Sequence, residues 1–478
     1  MNPALQSPYL SGPYAPVHDE IDSGPLAVIG ELPRDLRGVF VRNSSNPRFA
    51  PKVGTRYHWF DGDGMLQGVH FEGGQARYAT RWVRTRAFAA ESEAGCSLWT
   101  GVTERPDFTN PRGPFKDSAN TDVVYHAGRL LALWWLGGEP YAVHLPDLTT
   151  IGPVSFGSVK TLSAHPKRDA HTGELLFFDY KPTPPFLSYG VLDEHGALRH
   201  HTTIELDGPR LQHDMAITQH HTILMDMSLR WDPQLLRRGQ TRVVFDRERP
   251  ARFAVLPRYG NGSEVRWFSS SPFYMYHTIN AWEEGNTIVL VGCRIDAPLV
   301  GDPHNPERTV PSIGFLRLEP RLCRWTLDLC TGETREELLD DELTEFPRMD
   351  NRHLGRPSRY SYNPTLAPRD TLLFDGVVKY DTQSGHKRRH QWPKGRFGGE
   401  VVFAPRADRD YAADHEDDGY LITYVTDDQG GAAEAVVLDA REPERPPLCR
   451  VLLPQRVPAG YHTWWVSHED LDAQRPLP

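Results

Sequence analysis

Cysteine is scarce in this chain. Five of 478 residues are cysteines (Cys96, Cys293, Cys323, Cys330 and Cys449), and no two have C-x-x-C spacing. An odd count without that spacing argues against a disulfide framework and against a thiolate metal site. Reduced thiols and a cytoplasmic setting are expected instead. Long apolar runs are also lacking. None approaches the roughly 18 residues a membrane-spanning helix needs, and Met1-Asn2-Pro3-Ala4 opens without the basic and apolar segments of a secretory signal. Peripheral membrane contact stays open. There is no excess of positive charge: Lys+Arg is 53, Asp+Glu is 63 and the net charge is −10. Nucleic-acid binding is therefore not expected, because phosphate contacts need clustered cations. The short run Lys387-Arg388-Arg389 reads as a solvated loop. No Gly-x-Ser-x-Gly, Walker loop or dinucleotide fingerprint occurs in a strand-to-helix setting.

Turn formers are plentiful, with 40 Gly and 41 Pro scattered along the chain. Between them lie short apolar or alternating runs, such as Leu130 to Leu136, Leu175 to Phe178, Thr222 to Met227, Thr287 to Gly292 and Tyr420 to Val425. Asp193-Glu194-His195-Gly196 and Glu284-Gly285-Asn286 read as hairpin turns, and so does Asp61-Gly62-Asp63-Gly64. The pattern predicts a mostly β chain of antiparallel strands. Helical candidates are few, near Asp232 to Arg238 and Asp340 to Glu345, and stretches 232–270 and 300–312 read as irregular insertions over one face. No WD or kelch repeat is visible, so repetition does not establish a propeller. An EF-hand at Asp61-x-Asp63 with Glu72 fails, because Leu66 stands where the loop requires glycine.

Histidine is abundant, at 21 residues. The adjacent pairs His200-His201 and His220-His221 would point to opposite faces of a strand and read as surface residues. Four others precede or follow strand-like runs: His165 in Ser163-Ala164-His165-Pro166, His213 in His213-Asp214-Met215, His277 in Tyr276-His277-Thr278, and His462 in Gly460-Tyr461-His462-Thr463. Spacing alone does not join them into one site.

The four contexts resemble those of the carotenoid cleavage oxygenase family. So do Gly38-Val39-Phe40-Val41-Arg42-Asn43, His58-Trp59-Phe60-Asp61-Gly62-Asp63-Gly64-Met65, Glu345-Phe346-Pro347-Arg348 and Gly399-Glu400-Val401-Val402. The blocks run in the family's order over almost the whole chain. The resemblance implies a single domain over 1–478, an all-β, seven-bladed β-propeller with a helix-and-loop dome over the iron face. It implies Fe(II) held by His165, His213, His277 and His462, with Glu345 and Glu400 behind two of the rings. Imidazole suits Fe(II), and a carboxylate on the distal ring N–H fixes the tautomer.

Two departures stand out. Trp135 occupies the position of the family's third glutamate, which leaves one histidine to a carbonyl, a water or Glu139, and Thr463 replaces a glycine after the last histidine. Trp134 stands where stilbene-cleaving relatives carry a phenol-binding lysine. The expected reaction is O2-dependent cleavage of a conjugated carbon–carbon double bond, on an apocarotenoid in preference to a stilbene or phenylpropenoid. A non-cleaving polyene isomerase or binding protein is the reading of another class. Expected tunnel residues are Trp59, Phe60, Trp99, Trp134, Trp135, Phe273 and Tyr274. No catalytic acid or base is expected beyond the metal ligands.

Overall fold

The computed structural model describes residues 7–232, 243–302, 305–407 and 415–475. Its strands form seven antiparallel blades arranged as a β-propeller. The first blade orders Ile21–Asp22, Gln75–Trp82, Asp63–Glu72, Gly38–Asn46 and Thr463–Ser467. The C-terminal strand therefore closes the ring on an N-terminal one, with Val41 opposite Trp464. A second closure joins Val28–Gly30 to Cys449–Leu452 in the last blade, with Val28 opposite Val451. Ring closure leaves only short blade edges open, which is how an all-β chain of this length limits edge-to-edge pairing.

The expected strand runs fall on Arg129–Leu133, Leu175–Tyr180, His221–Asp226, Thr287–Ile295 and Gly419–Asp427. Their buried faces fuse into cores between neighbouring blades, as where Val39, Val41 and Leu66 pack on Val123, Leu130 and Val143. The Glu284-Gly285-Asn286 turn joins Tyr274–Glu284 to Thr287–Ile295 in register, and Gly285 takes φ +60°. The stretch 193–196 is likewise a turn between Leu187–Leu192 and Leu198–Ile204.

Several local expectations fail. Residues 340–343 are not helical: Thr334–Leu343 is the outer edge strand of its blade, paired with Arg321–Asp328. Its dense charge reflects an edge that must stay soluble and unpaired. The span 232–270 is not mostly irregular, because Ala251–Pro257 and Arg266–Ser270 are blade strands. The helical candidate 232–238 lies almost wholly outside the described residues. Lys387–Gln391 is a strand, and its cations pair with Asp340, Glu342 and Glu444. Asp61-Gly62-Asp63-Gly64 is no hairpin turn. Trp59–Asp61 is a 3-10 turn capped by Asp61 on the His58 N–H, and Gly64 already lies in a strand.

One face carries the long connections. They include the α-helix Arg86–Ala94, the loop 95–120 and the hairpin Leu229–Trp231 with Val243–Phe245. All five cysteines are free thiols, three of them buried. No helix of the described residues is long and apolar enough to cross a membrane.

Candidate metal centre

Each blade delivers one polar side chain to the axis, six of them at or just before the blade's innermost strand. In blade order these are His462, Asp122, His165, His213, His277, Glu345 and Glu400. His462 immediately precedes Thr463–Ser467, Asp122 opens Asp122–His126, and His277 lies within Tyr274–Glu284. Glu345 sits on a segment that bridges the sixth blade's Tyr360–Leu366 through Thr344 to Thr365 and Arg348 to Tyr362. His165 and Phe346 adopt φ of +66° and +55°, a left-handed backbone that costs a non-glycine residue free energy. Such strain at two positions on the axis marks a site that the surrounding blades hold in place.

The four histidines are buried, and one ring nitrogen of each lies within 4.8 Å of the others. The Nε2 atoms of His165 and His277 are shut off from solvent and have no hydrogen-bond partner. Buried polar atoms without partners are rare and ask for an explanation. A cation on the axis would supply one. Burial, reinforced by the neighbouring rings, holds His165 and His213 well below the usual histidine pKa. Burial also lowers His462, against the pull of Glu400. These three rings are therefore neutral and offer lone pairs. For His277, burial works downward, but Glu345 outweighs it and the ring's pKa lies above its ordinary value.

The acids on the axis serve their neighbours around the ring. Glu345 Oε2 is 2.5 Å from His277 Nδ1, and Glu400 Oε1 is 2.9 Å from His462 Nδ1. Asp122 accepts the His165 backbone N–H at 2.9 Å, and its carboxylate lies 3.7 Å from His165 Nδ1. His213 is flanked by histidine blades on both sides, and no carboxylate among the described residues comes within ion-pair reach of its ring. Glu139 does not supply one, because it pairs with Arg86 at 2.8 Å. Trp135, at the expected glutamate position, instead lines the space beside His213.

That space is an outer cavity of about 160 Å³ opening into an inner pocket of about 20 Å³. The outer wall includes Phe60, Trp99, Trp134, Trp135 and His213. The inner one includes Trp59, Phe60, Trp135, His277, Phe346 and His462. Phe273 and Tyr274 line neither. Phe273 stacks on Trp325 with ring centres 5.0 Å apart, and Tyr274 is fully buried with its hydroxyl on the Leu211 carbonyl. Tyr276, two residues further along the same strand, lines both cavities instead.

Comparison with known proteins agrees with this architecture. The family model described as retinal pigment epithelial membrane protein matches residues 14–467. The chain belongs to the carotenoid cleavage oxygenase family. It is 33% identical to carotenoid 9,10(9',10')-cleavage dioxygenase 1 of Phaseolus vulgaris, over 99% of this chain and 92% of that one. It is 32% identical to isoeugenol monooxygenase of Pseudomonas nitroreducens, over 96% and 98%. Among solved structures, the lignostilbene dioxygenase of Pseudomonas brassicacearum superposes with a TM-score of 0.87 at 29% identity, covering 97% of this chain and 99% of that chain. A cobalt-substituted Synechocystis apocarotenoid oxygenase gives 0.81 at 27% identity, covering 95% and 97%. Members of this oxygenase family cleave carbon–carbon double bonds, and the buried four-histidine cluster of this member marks a metal centre.

Sequence reading missed some participants. Asp122 opens a strand-like run just as the histidines do, yet a lone aspartate gives no signal. Phe346, Arg348 and Tyr461 lie inside the family blocks that carry Glu345 and His462. Thr121 also lines the inner pocket, and its hydroxyl accepts the Trp135 backbone N–H at 3.1 Å.

Proposed function

We propose that this protein is a non-haem Fe(II) dioxygenase that cleaves a conjugated carbon–carbon double bond of an apolar substrate with O2, giving two carbonyl products. The observation that carries this reading is the set of four buried histidines within 4.8 Å, two with a glutamate on the distal nitrogen. His165, His213, His277 and His462 would hold the metal. Four neutral nitrogens leave its charge to the two glutamates, which suits a divalent ion that imidazole binds well. Bound there, Fe(II) would supply the activation of O2.

The chain's own residues do the rest. Glu345 and Glu400 keep the Nδ1 proton of His277 and His462 and so turn each Nε2 inward. Phe60 and Trp135, with ring centres 5.4 Å apart, flank the approach to His213 and exclude water. No side chain needs to move a proton, because splitting the double bond consumes none.

For the substrate, an apocarotenoid is the first reading, supported by the carotenoid-cleaving relatives. A phenylpropenoid is the second. The outer cavity matches the roughly 150 Å³ known to admit a benzene ring, and isoeugenol monooxygenase is among the relatives. The test is mass spectrometry of products formed under air from apocarotenals, stilbenes and isoeugenol-like alkenes, with O2 uptake followed in parallel. Release of two carbonyl products supports cleavage. No O2 uptake with any of them by iron-saturated protein refutes it and leaves isomerisation or binding.

A further inference from the structure

The two cavities differ in size, and the smaller is lined by three of the four histidines, His213, His277 and His462. They share Phe60, Trp135, His213 and Tyr276, while His277 and His462 border only the inner pocket. A substrate entering through the outer cavity thus meets His213 first, and its leading end comes to rest between His277, His462 and the apolar wall that completes the inner pocket. The space waiting there is about 20 Å³. A single water needs roughly 10–15 Å³ by the same measure, and a benzene-sized guest roughly 150 Å³.

The far wall is braced against expansion. Trp59 and Tyr461 have ring centres 4.2 Å apart, and the Tyr461 hydroxyl donates to the Trp59 carbonyl at 2.6 Å. Tyr14 meets Trp59 edge-on at 5.3 Å from behind. Phe346 meets Phe374 edge-on at 5.3 Å. Leu316, Leu318 and Leu372 complete the wall, each no more than 7% exposed. A close-packed wall of this kind does not yield to an extra methylene without displacing its neighbours.

We infer that the enzyme cuts near one end of its substrate, with no more than about one or two carbons on the inner side of the scissile bond. This rests on the cleavage reaction proposed above and sets its regiochemistry. The C=C bond breaks, two C=O bonds form, and both oxygen atoms come from one O2, so the reaction balances without further reductant. The inner carbon leaves as a small aldehyde or ketone. The outer carbon leaves with the bulk of the molecule through the open cavity.

The experiment uses iron-loaded full-length protein and arylalkenes that share one ring but carry a propenyl, butenyl or hexenyl tail. An apocarotenal is included. Each methylene added to the tail is expected to lower kcat/KM by about tenfold or more, and any apocarotenal cleaved is expected to lose a short terminal fragment. Leu318→Ala should flatten the tail series, with Leu372→Ala as a second enlargement and melting curves confirming that each variant folds. O2 uptake with a flat tail series in the wild type, or mid-chain fragments from the apocarotenal, overturns the inference and leaves the cleavage reading intact. No O2 uptake with any substrate overturns both.

Discussion

Glu400 divides its two carboxylate oxygens between a ring and a backbone. Oε1 lies 2.9 Å from His462 Nδ1. Oε2 accepts the Thr463 N–H at 2.5 Å, the Thr463 hydroxyl at 2.7 Å and Arg348 Nη2 at 2.8 Å. Burial pushes this carboxyl up, yet Arg348 and His462 outweigh it and bring the pKa down to about 2. A depressed carboxylate pKa contributes stability that is full above the unfolded value, near 4.5, and is lost as pH falls toward 2. Wild-type stability should decline across that window, and Glu400→Gln should lack this part of the decline when melts are recorded from pH 6 to 2. The same variant should weaken metal binding by roughly 10- to 100-fold, as loss of a carboxylate behind a ligating ring commonly does, measured by chelator competition.

Thr463 explains its own departure from the family's glycine. Its hydroxyl is one of three donors on Glu400 Oε2, and the residue is fully buried. Thr463→Val keeps the shape and removes the donor. The expected loss is about 1.5–3 kcal/mol of stability, the range for a hydrogen bond to a charged group. The decline in metal affinity should be smaller than for Glu400→Gln. Equal losses in the two variants would mean that the carboxylate acts only through Thr463.

The legible part of this protein was its local grammar. Short runs between glycines and prolines read correctly as strands at 129–133, 175–180 and 419–427, because a strand's signal is contained within it. The closure of Gly38–Asn46 on Thr463–Ser467 was not legible from patterning, since it joins segments more than 400 residues apart. The four histidines were joined by family resemblance alone. The Asp122 contact to His165 carries no local signal, because it depends on which blades become neighbours. Thr334–Leu343 misled because an exposed edge strand is charged on both faces and loses its alternation.

Trp135 owes its position to the turn that follows it. Gly137 takes φ +74°, and a Cβ there would lie 2.2 Å from Asp179 Oδ1. Gly137→Ala must therefore strain the backbone and displace a buried carboxylate. A cost of roughly 1–3 kcal/mol is expected, together with movement of the indole away from His213. Thermal melts and a shift in tryptophan emission would register it. A variant as stable as the wild type with unchanged emission would show that the turn does not set the indole.

The unequal treatment of the four rings has a consequence for metal uptake. Burial keeps His165 and His213 deprotonated far below neutrality, so protons do not compete for them at pH 6 to 8. His277 differs, because Glu345 raises its pKa above the ordinary histidine value. Below that raised pKa a metal must displace a proton from His277. Affinity should therefore rise with pH by up to about tenfold per unit, one proton released per metal, and level off once His277 is deprotonated. Glu345→Gln removes the charge that holds this proton and lets burial lower the ring's pKa. In that variant the pH dependence between 6 and 8 should shrink, while the affinity at pH 8 falls because the ring loses its carboxylate. Chelator competition across this range, with proton release followed in weak buffer, separates the two effects. A wild-type affinity flat from pH 6 to 8 would place the titrating proton elsewhere.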